Sequence, residues 1–226
     1  MVREAGDGEG RYEIPVLDFG VLPHGERRDA AESRRRVLDT ARELFEERGV
    51  DSVSMHEIGR AAGVGQGTLY RRYEHKGALC SALLFESTER FYERVRARTQ
   101  KGNDAALVQL GSLIDDLAAF TEENAPLLGA VRDAAGGERR MEMYRNPFYG
   151  WLRATVIVLL EQAIAEGEAA PDLDVEYAAD FVLAPLNIDL YLFQRHEIGM
   201  EPVRITSVLR GLLLYGLQAR KSTNDV

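Results

Sequence analysis

From residue 30 onward apolar residues recur at helical spacing; before it they do not. In "AAESRRRVLDTARELFEERGV", Val37, Leu38, Ala41, Leu44 and Phe45 fall on one face of an amphipathic helix, and Gly49 is placed to end it. Ser54 with Glu57 three residues on forms a capping box, and Val53 with Ile58 suits a hydrophobic staple. A second helix therefore starts near residue 55 and stops short at Gly63. A third opens at about Gln66. A fourth opens at Lys76 and carries Leu79, Leu83, Phe91 and Val95 to about Thr99. Five further helical segments follow, at 104–124, 126–135, 144–168, 173–195 and 201–220. Pro126 and Pro147 suit helix starts, whereas Pro185 should kink the fourth segment. "GEAAPDLD" at 167–174 reads as an exposed turn. No strand-like alternation survives, so the fold class is all-α.

Residues 1–29 lack this periodicity. Five glycines and mixed charges mark them as a flexible extension, with one apolar piece, "IPVLDFGVLP", whose docking place the sequence does not fix. Two further units follow, at 30–80 and 81–226. Cys80 is the single cysteine, which excludes an internal disulfide and fits a reducing cytoplasm. Its apolar neighbours make it a small buried hydrophobe. No signal peptide and no uninterrupted apolar stretch of membrane length appears, so a cytoplasmic protein without membrane partners is expected.

The net charge of −9 argues at first against a nucleic-acid partner, but it is unevenly spread. Residues 31–80 carry nine Lys and Arg against eight acids, whereas 81–226 carry fifteen against twenty-two. The one segment that is not negative contains "AAGVGQGTLYRRYEHKGAL". Gly63 supplies the turn between two short helices, and Gly59 and Ala62 let them approach. Val64, Leu69 and Tyr73 are spaced to face inward. Gln66, Gly67, Thr68, Tyr70, Arg71 and Arg72 then point outward, offering an amide, bare backbone, hydroxyls and guanidiniums. Gln pairs bidentately with adenine and Arg with guanine, while hydroxyls and the Lys76 ammonium suit phosphate oxygens. This is the helix-turn-helix arrangement. Arg34, Arg35 and Arg36 near the first helix's start oppose its dipole, so phosphate contact is their functional reading.

Residues 31–80, through "SMHEIGRAAGVGQGTLYRRYEHKGAL", resemble the DNA-binding domain of TetR-family transcriptional regulators. The resemblance puts Gln66, Gly67, Tyr70, Arg71 and Arg72 on recognition-helix positions, and Thr68, Tyr70 and Lys76 on positions that usually touch phosphate. With Arg34, Arg35 and Ser54 these are the DNA-binding candidates. Gly65 departs from the pattern, which often has Ser there, so the third helix lacks a side-chain cap.

The resemblance also implies a larger helical domain that encloses an effector and pairs two subunits. Phe120, Tyr144, Phe148, Tyr149, Trp151, Phe181 and Tyr191 are the candidate pocket residues, which favours an apolar or aromatic small molecule. The last two helical segments carry broader apolar faces than one stripe needs, implying a homodimer. The expected protein is thus a ligand-responsive regulator, a repressor released from double-stranded operator DNA, with no cofactor and no metal. The alternative is an all-helical small-molecule-binding protein without specific DNA recognition. An enzyme is disfavoured, because no phosphate loop, nucleophile elbow or metal-ligand spacing is present.

Overall fold

The computed structural model describes residues 15–17, 28–101, 104–135 and 144–217. Its helices are α1 (Arg28–Arg48), α2 (Met55–Ala61), α3 (Gln66–Arg72), α4 (Lys76–Lys101), α5 (Ala106–Glu123), α6 (Ala125–Ala135), α7 (Pro147–Ala165), α8 (Val175–Leu183), α9 (Ile188–Leu192) and α10 (Pro202–Leu217). The predicted helix over 173–195 is broken rather than kinked. Pro185 forces a 3-10 turn at Ala184–Leu186, Asn187 caps α9 anew by accepting from the Asp189 amide, and a π-turn at Phe193–Glu197 ends the segment.

Two buried clusters organise these helices. The first, the head, draws Val37, Ala41 and Phe45 from α1, Ile58 from α2, Leu69 from α3 and Leu79, Cys80 and Leu83 from α4. The second, the body, is built on α4, α5, α7 and α8, with Phe91, Leu110, Ile114, Trp151, Val156 and Val182 among its members. α4 runs through both, so the head stands on a rod rooted in the body. α6 braces that rod, with Leu127, Ala130 and Val131 packed against the head cluster. Gly77 makes the brace possible: a methyl there would collide with the Ala134 side chain and the Ala130 carbonyl.

α7, among the described residues, is the one helix long and apolar enough by composition to cross a membrane. Here it is a core helix that buries Trp151, Leu152, Val156, Leu159 and Leu160. Arg153 on its solvent side bonds Asp180 at 2.8 Å and ties it to α8. The turn at 167–174 has a task beyond reversing the chain. α5 lacks a side-chain cap of its own at Ala105. Glu166 and Glu168 accept from the Ala106 and Leu107 amides at 3.1 and 2.9 Å, placing negative charge at the helix's positive end.

The expectation that residues 1–29 form a flexible extension needs correcting at two places. α1 already starts at Arg28, and Pro15–Leu17 lies docked on the body. Leu17 is 6% exposed within the body cluster, Val16 is 82% exposed, and the Pro15 carbonyl accepts from the Trp151 indole N–H at 2.9 Å. Burying Leu17 is worth about 2 kcal/mol and the hydrogen bond about 1, against about 1–2 kcal/mol per ordered residue, so docking and release are closely balanced.

Candidate functional site

The head presents α3 as predicted, with one face inward and one outward. Leu69 and Tyr73 are buried, while Gly67, Thr68, Tyr70, Arg71 and Arg72 are exposed. The capping box starts α2: the Glu57 amide donates to Ser54 Oγ at 3.2 Å, and the Ser54 amide donates to Glu57 Oε2 at 2.9 Å. Gly63 takes a φ of +65°, a left-handed conformation that favours glycine. At Gly59 the need is space: a Cβ there would lie 3.2 Å from Leu69 Cδ2 and 3.3 Å from the Val64 carbonyl. Gly65 precedes α3 without a side-chain cap, as the sequence implied.

Glu57 also receives Arg48 at 3.0 Å. The Ser54 amide and hydroxyl, then Arg48, hold its carboxyl down at about 2. A lowered pKa in the fold contributes stability that is full above the ordinary carboxylate value and fades as pH falls towards about 2. Glu57→Gln should therefore melt earlier than the native chain at pH 7, with the gap closing as pH drops from 4.5 to 3 in calorimetric scans.

Three DNA-binding candidates, Lys76, Gln66 and Ser54, make bonds within the protein. Lys76 donates to the carbonyls of Val50 at 2.8 Å, Val53 at 3.0 Å and Asp51 at 3.3 Å, so its ammonium closes the loop between α1 and α2. Gln66 is half-buried, with Nε2 donating to the His56 carbonyl at 3.1 Å; the amide that was expected to read adenine links α3 to α2. Ser54 likewise spends its hydroxyl on the capping box. Arg34 shares the α1 face of Ala30 and Ser33 by helical spacing, whereas Arg35 lies roughly 100° round and pairs with Asp39 at 3.6 Å.

Sequence reasoning missed the cleft between α1 and α3. Ala30, Ser33, Thr68, Arg71 and Arg72 line an open hollow of ≈ 280 Å³, and Arg72 Nη1 donates to the Ala30 carbonyl at 3.1 Å. No motif connects positions 30–33 with 68–72; only folding α1 against α3 does. The result is a concave, hydroxyl- and guanidinium-lined surface suited to a phosphate backbone.

In the body the pocket candidates separate into groups. Phe120, Phe148 and Trp151 join Phe91 and Tyr92 in one aromatic assembly, with ring centroids 5.2–6.0 Å apart. Tyr144 stacks edge-on against Tyr149 at 5.1 Å near the surface, and its hydroxyl accepts from Asn187. Tyr191 is fully buried elsewhere, donating to Glu122 at 2.6 Å, while Arg195 holds the other carboxylate oxygen at 2.8 Å. The Arg195 guanidinium keeps the Glu122 carboxyl below its usual range, and burial raises the Tyr191 phenol. Phe181 is 59% exposed, so it walls no interior pocket. It faces outward because it lies opposite the buried Ala178, Ala179 and Val182 of α8. A second open cleft, of ≈ 360 Å³, lies where head meets body and includes Arg42, Phe45, Leu83, Arg94, Phe120 and Leu127 in its lining. Burial pushes the Cys80 thiol up to about 11, which leaves it unreactive.

Residues 37–83, which span the helix-turn-helix, match the family described as bacterial regulatory proteins, tetR family. An HTH-type transcriptional regulator of Staphylococcus aureus is 27% identical over 181 residues, 79% of this chain and 91% of that protein. The chain is similar to TetR-family regulators. Its whole fold follows the same pattern. A TetR/AcrR regulator of Thermobifida fusca superposes with a TM-score of 0.62 at 21% identity, covering 83% of this chain and 100% of that one. Thermus thermophilus FadR, a TetR-family repressor solved with lauroyl-CoA, gives 0.61 at 22% identity, covering 85% and 99%. These likenesses show that more than four fifths of this chain shares the fold of the two solved regulators.

Proposed function

We propose that this TetR-family chain is a ligand-responsive repressor that binds operator DNA as a homodimer in the cytoplasm and catalyses no reaction. The observation that carries this reading is the outward row of α3. A short helix anchored by Leu69 and Tyr73 turns Thr68, Tyr70, Arg71 and Arg72 to solvent beside the start of α1. Arg71 is the foremost candidate for base edges, Thr68, Tyr70 and Arg34 for phosphates. The acidic body orients the head toward the duplex, because phosphates repel residues 81–226.

The pairing surface is supported by exposure. Val208, Leu212 and Tyr215 form one face of α10, and Leu212 is 71% exposed. Phe181, Leu190 and Phe193 add apolar surface on the preceding elements. Scattered exposed apolar residues are ordinary, whereas a continuous apolar face along one helix supports reading it as an interface. Leu212→Asp should elute as a monomer in size-exclusion chromatography and lose at least about tenfold in affinity for a duplex with two half-sites, because the second head is no longer tethered.

Effector binding would favour a head spacing that two successive major grooves no longer fit. A gel shift with the DNA flanking the protein's own coding region tests the central reading. A specific complex that competitor DNA does not remove supports it. Binding that is equal on any duplex, or absent, leaves a small-molecule-binding protein without operator recognition.

A further inference from the structure

Pro15–Leu17 is the only described segment ahead of α1, and it is seated on the aromatic assembly of the body. Trp151 has one polar hydrogen, it is 4% exposed, and its acceptor is a carbonyl brought from outside the helical body. The rings of Phe91, Tyr92 and Phe148 surround the indole. Two residues beyond that carbonyl, Leu17 places a branched aliphatic group in the same buried cluster, while Val16 between them points to water. The segment therefore offers an uncharged acceptor oxygen and an aliphatic group about 7 Å further along an extended backbone.

We propose that Pro15–Leu17 is an internal stand-in for the effector, and that the site it fills takes an uncharged carbonyl compound with an aliphatic chain. This rests on the reading of the body as an effector domain and specifies its ligand and its competitor. Three features support the assignment. The donor is buried and aimed at the segment, so whatever replaces the segment must bring an acceptor or leave the indole unpaired. Among the described residues the hold is one hydrogen bond and the burial of Leu17, so a competing ligand has little to displace. It is also tethered: ten residues separate Leu17 from Arg28 and span at most roughly 35 Å. A tethered competitor acts at high effective concentration and raises the ligand concentration needed to enter. The tether leads to the first turn of α1, where the Ala30 carbonyl holds Arg72 of α3.

Trp151 is the sole tryptophan, so indole emission reports on this site directly. The experiment compares the full chain with Leu17→Asp and with a chain lacking residues 1–22, each checked by circular dichroism for an intact helical fold. Both altered chains should show red-shifted emission and greater acrylamide quenching than the full chain. Octan-2-one as the probe should reverse the shift in both, at about one tenth of the concentration that saturates the full chain. Identical emission and quenching in all three chains would mean that the segment does not cover Trp151. Equal octan-2-one affinity in all three, or none in the shortened chain, would make the segment a structural clip and overturn the proposal. Gel shifts of the same three proteins without ketone keep the two readings apart, since loss of operator binding by the full chain would count against the regulator reading alone.

Discussion

Arg71→Ala combined with Arg72→Ala lowers operator affinity by between about thirtyfold and 10⁴-fold, with the melting temperature nearly unchanged. Each guanidinium that meets a base edge or phosphate contributes about 1–3 kcal/mol, and about 1.4 kcal/mol is a factor of ten. Both side chains are exposed, so their removal opens no cavity in the head. In the free protein the change removes the bond from Arg72 to the Ala30 carbonyl, at the surface. Titrating the duplex at several salt concentrations separates their roles. An arginine on phosphate reduces the slope of log affinity against log salt by about one when removed, whereas an arginine on a guanine relaxes sequence preference at that position. Unchanged affinity and unchanged slope would remove α3 from the interface.

Lys76→Met has the opposite signature. Methionine keeps much of the apolar stem but carries no donors, so the carbonyls of Val50 and Val53, both on buried residues, lose their partner. Unpairing such groups costs about 1–3 kcal/mol each, which sums to about 2–4 kcal/mol after allowance for solvent reaching Lys76. Thermal or urea unfolding should show that loss. Operator affinity measured well below the new midpoint should fall little, and the salt slope should not move. A reduced slope with unaltered stability would return Lys76 to the phosphate contacts.

The contrast between these residues marks how far the sequence could be read. The head was legible because its signals are local. A capping box, a left-handed glycine and apolar positions three and four apart fix α2, the turn and α3 within a span of twenty residues. The inward positions Leu69 and Tyr73 followed from spacing alone. Where polar side chains end was less legible, because a lysine, glutamine or serine at the right position satisfies a carbonyl or an amide as readily as a phosphate. Gln66 bonds a carbonyl of α2 10 residues away in sequence, and Lys76 one in the loop after α1, 26 residues away. In the body the helices were visible but not their partners. The Tyr191–Glu122–Arg195 group joins positions 69 and 73 residues apart, and no periodicity announces it. Aromatic content could not tell that Phe120, Phe148 and Trp151 pack together while Phe181 turns outward. The seat of Pro15–Leu17 depends on a single indole 136 residues later.

The bare position at Gly77 bears on how the molecule can be perturbed from afar. Two rods cross there backbone to backbone, and any bulk would act as a wedge under a lever whose fulcrum is the crossing. A methyl at that point would pry α6 from α4 and swing the far end, so the bearing of α3 on the body would change although no atom of α3 had been replaced.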